Sequence, residues 1–197
     1  VRLELLVPSG AIAPVSFAPG DDGSVVYRAT VTPGTWRLRV TQPPFSAVVA
    51  FDTSGSMGPY LDRVLQGVRA FARDVRPGHD AVQVLPFEQD PLLSDWSDDP
   101  FAIDAAIARF VNVASSSAAE TALIDAQKLL AGREGARAII LVTDALTSSA
   151  NRSAELWQAI DAIRPAIFTV QVGGDDDPIG SRALMEGWAG AAGGHAS

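Results

Sequence analysis

Two rhythms of apolar and polar positions divide the chain near residue 44. Before it, short β-rich runs alternate with turn residues: Val1–Val7, Ala13–Phe17, Ser24–Val31 and Thr35–Val40, separated by Pro8-Ser9-Gly10, Pro19-Gly20-Asp21-Asp22-Gly23 and Pro33-Gly34. In the last run Trp36, Leu38 and Val40 alternate with Thr35, Arg37 and Arg39, a period that predicts one buried and one wet face. About four such strands predict a small all-β segment over residues 1–44, a partial β-sandwich completed by residues outside this chain or packed on the second domain. Thr41-Gln42-Pro43-Pro44 reads as the linker, because consecutive prolines stiffen the chain and cannot join a ladder.

From Phe45 the rhythm becomes strand, helix, strand. Ser46–Asp52 is an apolar run, and Leu61, Val64, Leu65, Val68, Phe71 and Ala72 then recur at three- and four-residue intervals, predicting a helix over Tyr60–Val75 that Pro77-Gly78 ends. Ala81–Phe87 comes next as a strand, placed at an edge or distorted by Pro86, with Leu92–Trp96 as a short hairpin partner. Helices are predicted over Pro100–Val111, Thr121–Leu130, Ala154–Ile163 and Arg182–Ala192, and strands over Ala138–Thr143 and Ala166–Val172. This alternation predicts a doubly wound α/β domain over residues 45–197, a mostly parallel central sheet flanked by helices with right-handed crossovers.

The candidate chemistry sits at strand ends. Asp52-Thr53-Ser54-Gly55-Ser56-Met57 directly succeeds an apolar strand and precedes a helix, the place where open α/β sheets bind ligands. Asp52, Ser54 and Ser56 offer a carboxylate and two hydroxyls at alternate positions, oxygen donors that suit a hard divalent cation. Three oxygens leave an octahedron incomplete. Thr121, opening a later helix, and Asp144, ending the strand Ala138–Thr143, extend the set. Taken singly, Asp52, Ser54 and Thr121 each have a helix-capping or turn reading and Asp144 a loop reading. Together, in this order, D-x-S-x-S, a lone Thr and a strand-terminal Asp resemble the metal-ion-dependent adhesion site of von Willebrand factor type A domains. The flanking Val-Val-Ala-Phe-Asp-Thr-Ser-Gly-Ser-Met and Ile-Ile-Leu-Val-Thr-Asp are similar to that family as well, over residues 45–197.

That resemblance implies a metal set of Asp52, Ser54, Ser56, Thr121 and Asp144 holding Mg2+, or alternatively Mn2+ or Ca2+. It implies one coordination position left for the Asp or Glu of a protein partner, hence an adhesion or assembly module rather than an enzyme. Two other readings stand beside it. One is a scaffold whose metal only ties loops together. The other is metal-assisted phosphoryl transfer at Asp52, against which Ser54 replaces the second Asp of a D-x-D pattern and no P-loop is present. The family continues with one more strand and one more helix after a pair such as Gly193-Gly194, so the closing helix is expected to be missing from this chain.

Composition narrows the setting. A net charge of −8 argues against nucleic acid, whose binding is dominated by basic contacts to phosphate, and against anionic lipid. The absence of cysteine excludes disulfides and thiolate metal sites. No run reaches the roughly 18 apolar residues of a membrane span. Lys128 is the single lysine among fifteen basic residues, a bias pointing to a GC-rich, bacterial source. Val1 in the place of Met leads to the expectation of a processed product or excised fragment, and an extracellular or cell-surface setting fits an adhesion role. The other polar clusters, Asp175-Asp176-Asp177 and Asp95, Asp98 and Asp99, read as solvated turns, and His79 and His195 as surface residues. Trp157 and Trp188 are expected in the core, and Met57 and Tyr60 as apolar anchors beside the metal.

Overall fold

The computed structural model describes residues 2–6, 9, 11–19, 25–30, 33–41, 43–112, 118–144, 153–173 and 181–196. The chain splits into two compact units, Val1–Pro43 and Pro44–Ser197.

The first unit holds β1 (Arg2–Leu6), β2 (Ile12–Ala13), β3 (Ser16–Pro19), β4 (Val25–Arg28) and β5 (Arg37–Thr41). β1 lies between β2 and β5, antiparallel to both, with Leu5 opposite Ala13 on one side and Leu38 on the other. β3 and β4 form a separate antiparallel pair. The alternation in β5 does not bury its apolar side as expected: Leu38 is 62% exposed and Trp36 only half-buried. Sheets of three and two short strands have too little area to cover a face, and Ala13 is the one buried apolar residue among those of this unit whose exposure is described.

The second unit runs β6 (Phe45–Phe51), α1 (Leu61–Arg73), β7 (Ala81–Pro86), α2 (Pro100–Arg109), α3 (Ala119–Leu130), β8 (Ala136–Thr143), α4 (Ser153–Ile163), β9 (Ala166–Gln171), α5 (Ser181–Ala191) and β10 (His195–Ala196). The sheet order is β10-β9-β8-β6-β7, and every neighbouring pair is parallel. β6 is buried on both faces, which is why Ala47–Phe51 reads as an unbroken apolar run. Its side chains alternate between two cores. Val48 and Ala50 join Ile139, Leu141 and Ile167 under α3, α4 and α5. Ala47, Val49 and Phe51 join Val142 under α1 and α2. The α1 side is less fully covered, and Val49, Val64, Val68, Phe71, Ile140 and Val170 line an apolar groove of about 320 Å³.

The element ends obey local chemistry. Asp99 caps α2 by accepting from the Phe101 amide at 2.9 Å, and Pro100 occupies the first turn. α2 stops at Arg109, two residues earlier than expected, because Phe110 turns extended and packs edge-on against Phe51 at 5.4 Å. β7 is an edge strand of the parallel sheet with Pro86 as its last residue, so the missing donor falls where the ladder ends. In place of a hairpin partner over Leu92–Trp96, Leu92 donates to Val84 at 2.8 Å and Ser97 pairs antiparallel with Val82. Asp95 and Asp98 are turn acceptors, taking the amides of Trp96 at 2.7 Å and Gly78 at 2.5 Å.

One expectation about the later helices changes. Trp188 is buried, but Trp157 is 40% exposed, since α4 offers Leu156 and Ile160 to the core and Trp157 lies off that stripe. After Gly193, which turns at a φ of +71°, His195 is exposed as expected and begins β10 beside Phe168 of β9, so the further strand is present in short form. Gly194 permits this, because a Cβ there would collide with the backbone of Ile167.

Candidate metal centre

β6 and β8 are neighbours in register, Phe51 opposite Val142, so the residues just beyond them leave the sheet at the same height. The Asp52 amide donates to the Val142 carbonyl at 2.8 Å, closing the last rung. Asp52 therefore ends one strand and Asp144 its neighbour, and both are buried. The Asp52 carboxylate is held from two directions. One oxygen accepts the Ser54 amide at 2.8 Å, the Asx turn that such a short acidic side chain forms. The other accepts the Thr143 hydroxyl at 2.8 Å across the strands.

That Asx turn passes into a single 3-10 turn, Gly55–Met57, started by an extended Ser54. The turn brings the Ser54 and Ser56 hydroxyl oxygens to 3.1 Å, Ser54 buried and Ser56 exposed. Asp52, Ser54 and Ser56 thus form one hydrogen-bonded unit. The next strand contributes support: the Phe87 amide bonds the Phe51 carbonyl at 2.9 Å, and Gln89 donates to the Thr53 hydroxyl at 3.3 Å.

Thr121 is reached through helix α3. The helix starts at Ala119, so Thr121 is its third residue, half-buried, and not its cap. Glu120 beside it is buried and accepts the Ser153 hydroxyl at 2.6 Å. Ser153 opens α4, the helix that returns the chain from the carboxyl end of β8 to the start of β9. The amino end of α3 therefore lies with that of α4 at the end of the sheet where Asp52 and Asp144 emerge. Direct hydrogen bonds unite Asp52, Ser54 and Ser56. Strand register brings Asp144 beside them, and Thr121 shares their end of the sheet.

The donor set can be tested against a cation. Adjacent ligands on an octahedron with metal–oxygen bonds of about 2.1 Å lie about 3.0 Å apart. The Ser54–Ser56 oxygen separation of 3.1 Å matches two such neighbours, and is an ordinary hydroxyl hydrogen bond as well. Among the described residues no three Asp, Glu, His or Cys side chains gather at metal-binding distance. A cation here would depend on hydroxyls as much as on carboxylates, as the D-x-S-x-S pattern requires. The residues present fit a hard divalent ion.

One site expectation is overturned. Met57 is fully buried in the α1 core and cannot serve as a surface anchor. Tyr60 is half-buried beside Gly173. Residues 113–117 and 145–152, and Asp175-Asp176-Asp177, lie outside the described residues. Thr143 was missed. Its role is visible only from the register of β6 on β8, which no local pattern encodes.

A resolved electrostatic perturbation lies elsewhere. At the amino end of the sheet Asp80 takes a two-pronged contact from Arg76, at 2.7 and 2.6 Å, and accepts the Arg76 and Phe45 amides at 3.1 and 3.2 Å. Hydrogen bonding from Arg76 holds the Asp80 carboxyl below its ordinary range despite burial. This ion pair clasps the starts of β6 and β7 and is structural.

The von Willebrand factor type A domain model matches residues 47–146, a span containing all five predicted ligands. No curated protein matches the chain. Among solved structures, an aerotolerance-related membrane protein from Bacteroides fragilis is similar at a TM-score of 0.61 and 15% identity, over 77% of this chain and 90% of that one. The ArnB paralog VWA2 from Sulfolobus acidocaldarius gives 0.59 and 17%, over 93% and 44%. Manganese-loaded TRAP protein from Plasmodium vivax gives 0.56 and 17%, over 75% and 64%. At these identities the likeness is one of fold: a parallel sheet between two layers of helices.

Proposed function

This chain belongs to the von Willebrand factor type A domain family, and we propose that it is a metal-dependent protein-binding module, an adhesion or assembly domain without enzymatic activity. Asp52, Ser54, Ser56, Thr121 and Asp144 would hold the cation, with Mg2+ the best match to the hydroxyl spacing and Mn2+ or Ca2+ as alternatives. A bound cation would supply an electrophilic centre with one position open to the Asp or Glu of a partner. Two carboxylates against a double positive charge leave no excess negative charge at the ion, which favours capture of a third, foreign carboxylate. The observation that carries this reading is the fixed Asp52 carboxylate, held by Ser54 and Thr143 at 2.8 Å each, with the Ser54 and Ser56 hydroxyls presented together beside it. A manganese-loaded structure among the fold neighbours supports it by analogy. A bacterial source and a cell-surface or extracellular setting accompany this role, and no helix among the described residues is long and apolar enough to cross a membrane.

The test is calorimetric titration with Mg2+ and Mn2+, then capture of peptides that carry or lack an acidic residue. Binding that requires the metal, is reversed by EDTA and is lost in Asp52→Ala supports the module. Metal binding that raises thermal stability but captures no acidic peptide points instead to a structural metal. Turnover of a phosphorylated substrate would overturn the non-enzymatic reading.

A further inference from the structure

We propose that Glu120 is a positioning residue of this centre, acting through Ser153 to set the direction of Thr121 and the spacing between the first turns of α3 and α4. The inference rests on the metal-binding reading above. α3 has no capping side chain of its own. Its cap position is Ala118, which makes no side-chain cap bond, and an uncapped helix start leaves amide groups without intrahelical partners. Thr121 lies in that first turn, so a contact that fixes the turn bears on where its hydroxyl points.

Glu120 supplies the anchor. The residue is 8% exposed, and its carboxylate receives the Ser153 hydroxyl at 2.6 Å, the short distance of a hydrogen bond to a charged acceptor. Ser153 is the first residue of α4, so the carboxylate lies at the amino ends of two helices. Consecutive helical residues project about 100° apart. Fixing Glu120 toward α4 therefore fixes the rotation of the turn, and with it the direction in which Thr121 presents its hydroxyl. The same bond holds Ser153, nine residues after Asp144 in the chain. One contact between residues 33 apart ties the helix start that carries Thr121 to the start of α4.

The test is Mn2+ titration of the full chain as wild type, Ser153→Ala, Ser153→Thr and Asp52→Ala, with hydrogen exchange of residues 118–122 measured in EDTA. The expected result is a loss of about tenfold in Mn2+ affinity for Ser153→Ala, the scale seen when partners that orient metal ligands are removed. Ser153→Thr should restore affinity, and exchange of the α3 first turn should rise in Ser153→Ala with little change in thermal midpoint. Affinity within about twofold of wild type in Ser153→Ala, well short of the expected loss, while Asp52→Ala abolishes binding, would overturn this proposal and leave the metal reading intact. No Mn2+ binding by the wild type would overturn both. Unchanged exchange in Ser153→Ala would overturn the proposal too, because the bond would then not hold the turn.

Discussion

Thr143 and Gln127 are buried polar residues with opposite consequences. Thr143 gives its hydroxyl to Asp52, so Thr143→Val keeps the shape and removes a bond that holds that carboxylate. The expected outcome is a loss of about 1–2 kcal/mol in urea unfolding, with weaker Mg2+ binding in the same sample. Gln127 is 1% exposed on α3, and among the described residues neither its amide nitrogen nor its carbonyl oxygen meets a partner. A buried amide left unpaired costs on the order of 1–3 kcal/mol, so Gln127→Met should stabilise the fold and raise its melting temperature. An unchanged or lower melting temperature would show that the amide is satisfied after all. Neither residue stood out in the sequence. A Thr at a strand end and a Gln on a helix are common, and what distinguishes these two is what surrounds them after folding.

At the level of elements, the two ends of the sheet do different work. The carboxyl end carries the donors, and the amino end is closed by the Arg76–Asp80 clasp. Because the Asp80 carboxyl lies below its ordinary value of 3.8 in the folded chain, its contribution is complete above that value and fades as pH falls through the folded one. Asp80→Asn should therefore be less stable than wild type at pH 7. The difference should shrink as pH falls below about 4, where the unfolded chain takes up this proton before the folded one does. Urea midpoints for both proteins between about pH 2 and 7 give the difference curve, and a gap that persists unchanged at low pH would contradict the assignment. The entry to β8 depends on Gly135, at a φ of +84° and pressed against the Pro44 carbonyl that the Ala136 amide bonds at 2.8 Å. Gly135→Ala should cost at least about 1 kcal/mol for the left-handed backbone alone, readable by thermal melting. The helices and inner strands were legible because their apolar periods are strong. Their ends moved by a residue or two wherever a cap or an aromatic contact, such as Phe110 on Phe51, decided the stop.

For the whole molecule, amino-acid order alone determined the alternation of strands and helices, the parallel α/β sheet, and the placing of Asp52 and Asp144 at strand ends. Those features are written in local periodicity, which reports how each segment will be buried. Tertiary structure decided the rest. It set the order β10-β9-β8-β6-β7, left Leu38 exposed and hid Met57, and joined Thr143 to Asp52 across 91 residues. The physical reason is that register and burial depend on which distant segments meet. A segment's own pattern says that it has a face to cover, but the neighbour that covers it is fixed only when the whole sheet has formed.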